Sequence, residues 1–230
     1  MGRKYQGGIT GETISLLDKL INEQTNSTEY AHAMYELGKV FGSILLSSVS
    51  NAETVALAST VEDADFLGKG IIDVLENNGK KVLLTVFWNK RFKPNSENNL
   101  SVAPILREFH QEGYNKPGVL IVIKSIIANS CVVRTNLTKL IEESNPNEIF
   151  IVAPVLLVGA IKNLESEFDK QISDRFSYLY FAEDNEKTKE GMVLPGIGGD
   201  VYQRLGFSNQ DTKNKFTPRI VKERRAIAIK

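Results

Sequence analysis

The sequence predicts an α/β fold with a mostly parallel central sheet flanked by helices, and with a pair of helices at the N-terminus. Two observations support this fold class. The first 50 residues carry two stretches of helical periodicity. After them, short apolar runs alternate with amphipathic segments, which is the pattern of βα units around a parallel sheet. Because the alternation never breaks into a linker, we expect one domain over residues 1–207, followed by a basic arm over 208–230.

The N-terminal helical pair is predicted from apolar spacing. Thr10 is placed to cap a helix over "ETISLLDKLINE", and Ser27 or Thr28 to cap a helix over "STEYAHAMYELGKVFGSILLSS". The second helix carries an apolar stripe made of Tyr30, Met34, Leu37, Phe41 and Leu45. His32 lies off that stripe, so we expect it at the surface.

The later elements follow in order. Strands are predicted over "ETVALAST", "KKVLLTVFW", "PGVLIVIKS", "EIFIVAPVLL" and "FSYLYFAED". Helices are predicted over "ADFLGKGIIDVLENNG", "VVRTNLTKLIEES" and "GAIKNLESEFDKQ". The polar stretch "NKRFKPNSENNLS" has no periodicity, and a loop of this length inside a domain is usually functional or mobile.

Composition excludes several classes of protein. The 230 residues include 28 basic and 28 acidic side chains, so no overall charge attracts nucleic acid or a membrane. One cysteine, Cys131, allows no intrachain disulfide, and with two histidines it makes a His/Cys metal cluster improbable. No apolar run reaches the roughly 18 residues of a membrane span. We therefore expect a cytoplasmic protein with no membrane partner.

A glycine-rich motif near the C-terminus carries a family resemblance. Its residues are Pro195, Gly196, Ile197, Gly198, Gly199, Asp200 and Arg204. In this motif and in its order of parts, the chain resembles the uracil phosphoribosyltransferase family, whose motif has the form P-G-L-G-D-x-G-D-R; the resemblance covers roughly residues 10 to 207. It implies a phosphoribosyltransferase-like fold with a C-terminal base-recognition extension. The alternative is a glycine-rich turn that only closes a sheet.

The resemblance also implies where a base would bind. In the family this turn reads the pyrimidine through main-chain N–H and C=O groups, and glycines let the backbone approach a flat ring. By resemblance, Met192 and Val193 would meet one edge of the base. Gly198, Gly199 and Asp200 would meet the other edge. Glu183 and Asp184, which precede the turn, are candidates for the floor of the pocket.

The segment after the predicted strand at 119–123 corresponds to the family's phosphate loop. The candidate residues are Lys124, Ser125, Ala128, Asn129, Ser130 and Cys131. Family members have an acidic residue and then A-T-G-G, whereas this chain has Lys124 at the acidic position and Ser130 and Cys131 at the glycines. Lys124 and Ser130 are therefore candidates to hold a phosphate. The loss of both glycines makes the tight loop sterically costly, and Cys131 is expected to be a buried small residue.

The family's pyrophosphate loop corresponds to "STVEDADFLGKGI". The family's arginine is replaced there by three carboxylates, Glu62, Asp63 and Asp65. These would repel a pyrophosphate unless a divalent ion lay between them, so Mg²⁺ is a candidate cofactor. A solvated acidic turn is the alternative that the sequence favours.

Two basic segments complete the candidates. Lys90, Arg91 and Lys93 lie where the family carries a hood over its active site, and they would suit an anionic ligand. The C-terminal arm concentrates the cations Lys213, Lys215, Arg219, Lys222, Arg224 and Arg225. This arm is predicted either to contact a nucleic acid or an acidic partner, or to pack against another subunit of a homo-oligomer. The anchors for subunit packing would be Phe216, Ile220, Val221 and Ile227.

Three functional hypotheses follow from these features. The favoured one is a diverged phosphoribosyltransferase-fold protein that binds a nucleobase, nucleotide or phosphoribosyl ligand without pyrophosphate-displacing transfer, as a sensor, regulatory subunit or part of an assembly. The second is an active transferase that joins a base to ribose 5-phosphate. Such chemistry needs accurately placed charges, and the altered loops remove several of them. The third is a nucleic-acid-binding regulator on the same scaffold.

Overall fold

The computed structural model describes residues 2–92, 101–128, 130–189 and 191–228, with residue 228 described by its backbone only. Eight strands form the main sheet: β1 (Arg3–Tyr5), β2 (Thr54–Thr60), β3 (Lys81–Asn89), β4 (Ile105–His110), β5 (Val119–Ile123), β6 (Ile126–Ile127), β7 (Glu148–Leu157) and β8 (Phe176–Asp184). Two further strands, β9 (Glu186–Lys187) and β10 (Val193–Leu194), pair with each other.

Helices form in each segment predicted to be helical, and further helices that were not predicted form after residue 200. They are α1 (Gly11–Ile21), α2 (Ser27–Ser48), α3 (Lys69–Asn77), α4 (Cys131–Ser144), α5 (Ala160–Glu165), α6 (Lys170–Ser173), α7 (Val201–Arg204), α8 (Gln210–Lys215) and α9 (Arg219–Ala228). A π-helical turn over Ala64–Gly68 precedes α3.

The sheet confirms the predicted fold class. Its order is β1-β8-β7-β5-β2-β3-β4, with β6 beside β7. The inner pairs are parallel, and only the edge strands β1 and β4 run antiparallel to their neighbours among the described residues. One apolar core joins the sheet to α1, α2, α3 and α9, and a second joins its other face to α4 and α5. The sheet is therefore flanked by helices on both faces.

The connections through β2 create a crevice. β2 lies between β3 and β5, so the chain leaves β2 toward one side of the sheet and later returns to its other side. In open α/β sheets, ligands bind at the carboxyl ends of strands where the order reverses in this way. The ends of β2, β3 and β5 are therefore where this topology favours a site.

The N-terminal helical pair is confirmed, with one correction to its capping. Thr10 accepts a hydrogen bond from the N–H of Thr13 and caps α1 as predicted. The cap of α2 is Asn26 and not Ser27 or Thr28. The side chain of Asn26 accepts hydrogen bonds from the second and third N–H groups of the helix. The side chain of Glu29 in turn accepts a hydrogen bond from the N–H of Asn26, which completes a capping box.

The helix predicted over residues 159–171 is divided. α5 ends at Glu165, and α6 begins at Lys170 as a single turn. Only Ala160 and Leu164 of α5 are buried, and α6 has no buried side chain. Because so little of this segment packs on the core, nothing holds one continuous helix there.

The C-terminal arm packs on its own chain, and three of the four residues predicted to anchor it on another subunit, Phe216, Ile220 and Val221, contact its own chain instead. Ile220 and Val221 of α9 belong to the main apolar core, and the carbonyl of Phe216 accepts a hydrogen bond of 2.8 Å from Trp88 Nε1. Ile227 is the exception, because it is 66% exposed. Among the described helices, none combines the length and apolar character required to cross a membrane.

Candidate functional site

The crevice at the strand ends contains a cleft of about 110 Å³. Glu62 follows β2, Asn89 ends β3, and Lys124 follows β5, and all three line this space. We call it the switch-point cleft. It brings together eight of the residues predicted from sequence: Glu62, Arg91, Lys124, Ser125, Ala128, Cys131, Gly199 and Asp200.

A buried charge network joins the two predicted phosphate-binding loops to each other. The ammonium of Lys124 lies 2.7 Å from Asp63 Oδ2 and 3.2 Å from Glu62 Oε1. Asp63 also accepts from the hydroxyl of Thr60 at 2.7 Å and from the N–H of Ser125 at 3.3 Å. The sequence suggested an acidic loop and a basic strand end as separate features. In the folded chain the two features lie in direct contact as ion pairs.

The pKa values of this network show which charges it stabilises. Burial alone would lower the pKa of Lys124, but the carboxylates of Asp63 and Glu62 outweigh burial and raise it. Burial alone would raise the pKa of Glu62. The ammonium groups of Lys124 and Lys213, together with hydrogen bonds, outweigh burial and lower it to about 2. Lys124 and Glu62 are therefore both held in their ionised forms at neutral pH.

Lys213 belongs to this network, although its sequence position placed it in the basic arm. Its side chain is 5% exposed, lies 3.3 Å from Glu62 Oε2 and donates a hydrogen bond of 3.1 Å to the carbonyl of Asn89. Glu62 Oε2 has no hydrogen-bond partner within the described residues, so its contact with Lys213 is an ion pair without hydrogen-bond geometry. No sequence spacing links residue 213 to residue 62.

The predicted phosphate loop lies only partly in the cleft. Lys124, Ser125, Ala128 and Cys131 line it, and the first turn of α4 forms part of its wall. Ser130 is the N-cap of α4 without a side-chain cap bond, and its hydroxyl lies 3.5 Å from Glu167. A helix N-terminus without a side-chain cap is favourable for an anion. Asn129 lies outside the described residues.

The three acidic residues after β2 have different surroundings. Glu62 faces the cleft, Asp63 is fully buried, and Asp65 accepts from the N–H groups of Arg219 and Ile220 at the start of α9. Asp65 therefore caps the start of α9 and does not line the cleft. Across the part of the chain that the structure describes, no three or more His, Cys, Asp or Glu side chains are grouped as a metal site. Mg²⁺ stays a prediction from the sequence.

The predicted base-binding turn borders a second cleft, of about 120 Å³, which we call the turn cleft. Met192, Val193, Gly199 and Asp200 line it. Gly198 does not. Its φ is +76°, and an added Cβ would lie 2.1 Å from the carbonyl oxygen of Leu20, so this glycine permits close packing on α1.

Asp184 supports the turn from below and does not line either cleft. It is fully buried, forms a two-point ion pair with Arg3 at 2.7 and 2.8 Å, and accepts from the N–H of Gly196 at 2.8 Å. Glu183 pairs in register with Lys4 on β1. The candidate pocket floor is thus a structural support for the turn.

The two clefts share one wall. The residues common to both are Arg91, Ile126, Ala128, Gly199 and Asp200. Arg91 is exposed, and its guanidinium has no hydrogen-bond or ion-pair partner within the described residues. The other hood residues differ: Lys90 pairs with Asp211 at 2.9 Å, and Lys93 lies outside the described residues.

An aromatic side chain that the sequence did not assign to the site also lines the switch-point cleft. Tyr202 is half-buried, and its hydroxyl donates to Asp200 Oδ2 at 3.1 Å. Burial, with the nearby Asp200 carboxylate, raises the pKa of Tyr202. The cleft therefore offers a neutral aromatic ring beside its charged groups.

Comparisons with known proteins define the fold and not the activity. No family model matches the chain, and no curated protein matches it. A solved structure of the AQ2163 protein from Aquifex aeolicus superposes with a TM-score of 0.67 at 16% identity, covering 86% of this chain and 95% of that one. At this identity the similarity shows a shared fold alone.

Two further solved structures are more distant. Hypoxanthine phosphoribosyltransferase from Trypanosoma cruzi in complex with IMP has a TM-score of 0.47 at 9% identity, over 67% of this chain and 77% of that one. A hypothetical protein from Neisseria gonorrhoeae with bound ppGpp has a TM-score of 0.42 at 8% identity, over 66% and 81%. Superpositions this distant support no conclusion about function. None of the three is described as a uracil phosphoribosyltransferase, so the uracil-specific resemblance stays a prediction.

Proposed function

We propose that this chain is a diverged phosphoribosyltransferase-like protein that binds a nucleotide or a related base-sugar-phosphate ligand across the two clefts. The base lies in the turn cleft against Met192 and Val193. The anionic part lies in the switch-point cleft, beside the first turn of α4 and Arg91. We propose further that the chain does not catalyse pyrophosphate-displacing transfer, and that it acts by binding.

The shared wall of the two clefts is the observation that carries the proposal. Each cleft, at about 110 and about 120 Å³, is smaller than the roughly 300–1,000 Å³ of ordinary small-molecule pockets. A ligand of nucleotide size therefore has to span both. Arg91 lines both clefts, and its guanidinium has no hydrogen-bond or ion-pair partner among the described residues, so it is available to an anion at their junction.

The paired loops support binding without transfer. In a transferase the strand end and the loop after β2 must present their charges to the leaving group and the developing cationic sugar. Here Lys124 is held by Asp63 and Glu62, and the N–H of Ser125 donates to Asp63. Groups that already satisfy one another would need to separate before they could stabilise a transition state.

Calorimetry on the purified chain tests the binding proposal with UMP and uridine as probes. We expect UMP to bind, and Arg91→Ala to weaken it by about tenfold, which corresponds to about 1.4 kcal/mol. Arg219→Ala is the matched control, because Arg219 is an exposed arginine outside both clefts. Equal losses in the two variants, or no binding of either probe, would contradict the proposal.

The active transferase is the alternative that a pyrophosphate-release assay decides. Incubation with phosphoribosyl pyrophosphate, Mg²⁺ and each common base should give no turnover above that of a heat-denatured sample. Turnover at an ordinary enzymic rate, of about 1–1,000 per second, would replace the binding proposal with catalysis.

A nucleic-acid-binding role has less support. Much of the positive charge of the C-terminal arm is engaged within the chain, because Arg224 pairs with Glu76 at 2.5 Å and Arg219 with Glu223 at 2.7 Å. Lys213 is buried, and Arg225 lies over the ring of Phe109. Steeply salt-dependent binding of RNA or DNA would revive this alternative.

A further inference from the structure

We infer that Lys213, supplied by helix α8, sets the charge of the switch-point cleft and so allows it to accept an anionic ligand. This inference rests on the proposed function and deepens it. It assigns a role in the ligand site to a segment whose sequence suggests only a basic arm.

The charge balance at the strand ends requires Lys213. Two carboxylates, Glu62 and Asp63, are buried there against one strand-end cation, Lys124. Lys213 is the second cation, 3.3 Å from the Glu62 oxygen that has no hydrogen bond among the described residues. Without Lys213, Glu62 would leave an uncompensated negative charge in the cleft wall, where it would repel an anion.

Three contacts hold α8 in the position that delivers Lys213. The side chain of Gln210 accepts from the N–H of Arg91 at 3.0 Å and donates to its carbonyl at 3.1 Å. Asp211 pairs with Lys90 at 2.9 Å. Because these contacts join α8 to the segment after β3, the helix forms one side of the cleft, and Gln210 and Lys213 both line it.

The test compares an anionic probe with a neutral one. In Lys213→Met we expect the affinity for UMP to fall by at least about tenfold while the affinity for uridine changes by less than about twofold, since a buried charge imbalance acts mainly on a charged ligand. Lys215→Met is the matched control, because Lys215 is an exposed lysine on the same helix and lines neither cleft. A purely structural role of Lys213 would weaken both probes alike and would overturn the inference.

A double variant separates the effect of the lost charge from the effect of lost stability on ligand affinity. Glu62→Gln combined with Lys213→Met removes both members of the ion pair, so the double variant should recover most of the UMP-to-uridine affinity ratio that Lys213→Met loses. It should also unfold at a higher temperature than Lys213→Met alone. Failure of the double variant to restore the ratio would refute a role through charge.

Failure of the inference about Lys213 can be told apart from failure of the proposed function. If the wild-type chain binds neither UMP nor uridine, the proposed function falls, and inorganic phosphate becomes the anionic probe in a thermal-unfolding series. Stabilisation of the wild-type chain by phosphate, with loss in Lys213→Met and recovery in the double variant, would support the role of Lys213 on its own. Absence of that pattern would overturn it.

Discussion

Removing the charge of Glu62 should change the acid stability of this protein in a way that can be calculated. The pKa of Glu62 falls from its ordinary 4.5 to about 2 because Lys124 and Lys213 outweigh the cost of its burial. At about 1.4 kcal/mol per pKa unit, this gives about 3 kcal/mol of stability at pH 7. A depressed carboxyl pKa stabilises the folded chain above the unfolded value, and the contribution is lost as pH falls from about 4.5 toward about 2.

The assay is urea unfolding of the wild-type chain and Glu62→Gln at pH 7 and pH 3. Wild type should lose about 2 kcal/mol more than the variant over this interval, because part of the Glu62 contribution persists until the pH reaches about 2. At pH 7 the variant should be less stable, since Lys213 then lacks its carboxylate. Glu23→Gln, at an exposed carboxylate, is the control and should follow wild type. Parallel loss of stability in wild type and Glu62→Gln would refute the charge network.

Two further predictions concern the supports of the site. Asp184→Asn should destabilise the chain by about 3 kcal/mol in urea unfolding, because it removes the negative charge that accepts hydrogen bonds from both Arg3 and the N–H of Gly196. The substitution Asp18→Asn, at an exposed carboxylate, is the control, and equal destabilisation by the two substitutions would exclude a special role for Asp184. Ile220→Ala in α9 should cost about 2–4 kcal/mol, whereas Ile227→Ala, at a side chain 66% exposed on the same helix, should change stability by less than about 0.5 kcal/mol. If Ile220→Ala lowered the free energy of unfolding as little as Ile227→Ala, the packing of α9 on the main core would not contribute to stability.

Much of the fold could be predicted because local pattern and global packing agree. β5 is an unbroken apolar run and is buried along its whole length, as expected of a central parallel strand. The apolar stripe of α2 is buried at every predicted position. The cap of α2 was predictable too: Asn26 with Glu29 three residues later is a capping-box signal, and it outweighs the bare presence of Ser27 or Thr28.

The site was harder to predict because its main contacts join distant parts of the chain. The acidic loop after β2 and the basic end of β5 could have been linked, since neighbouring parallel strands end at the same edge of the sheet. That reasoning would have paired Glu62 and Asp63 with Lys124. Lys213 offered no such signal. Its place in the cleft depends on how α8 attaches to the segment after β3, which no periodicity encodes.

The ion pairs between the acidic loop after β2 and the basic loop after β5 limit how much negative charge a ligand in the switch-point cleft can carry. Around the switch-point cleft the cations Arg91, Lys124 and Lys213 face the carboxylates of Glu62, Asp63 and Asp200. Equal numbers of opposite charges give no excess to neutralise a pyrophosphate, which carries several negative charges. A single phosphate monoester can still be held by one free guanidinium and a helix N-terminus. If the proposed function holds, we therefore expect the chain to bind a nucleoside monophosphate more tightly than a pyrophosphorylated donor, and calorimetry with the two ligands measures that difference.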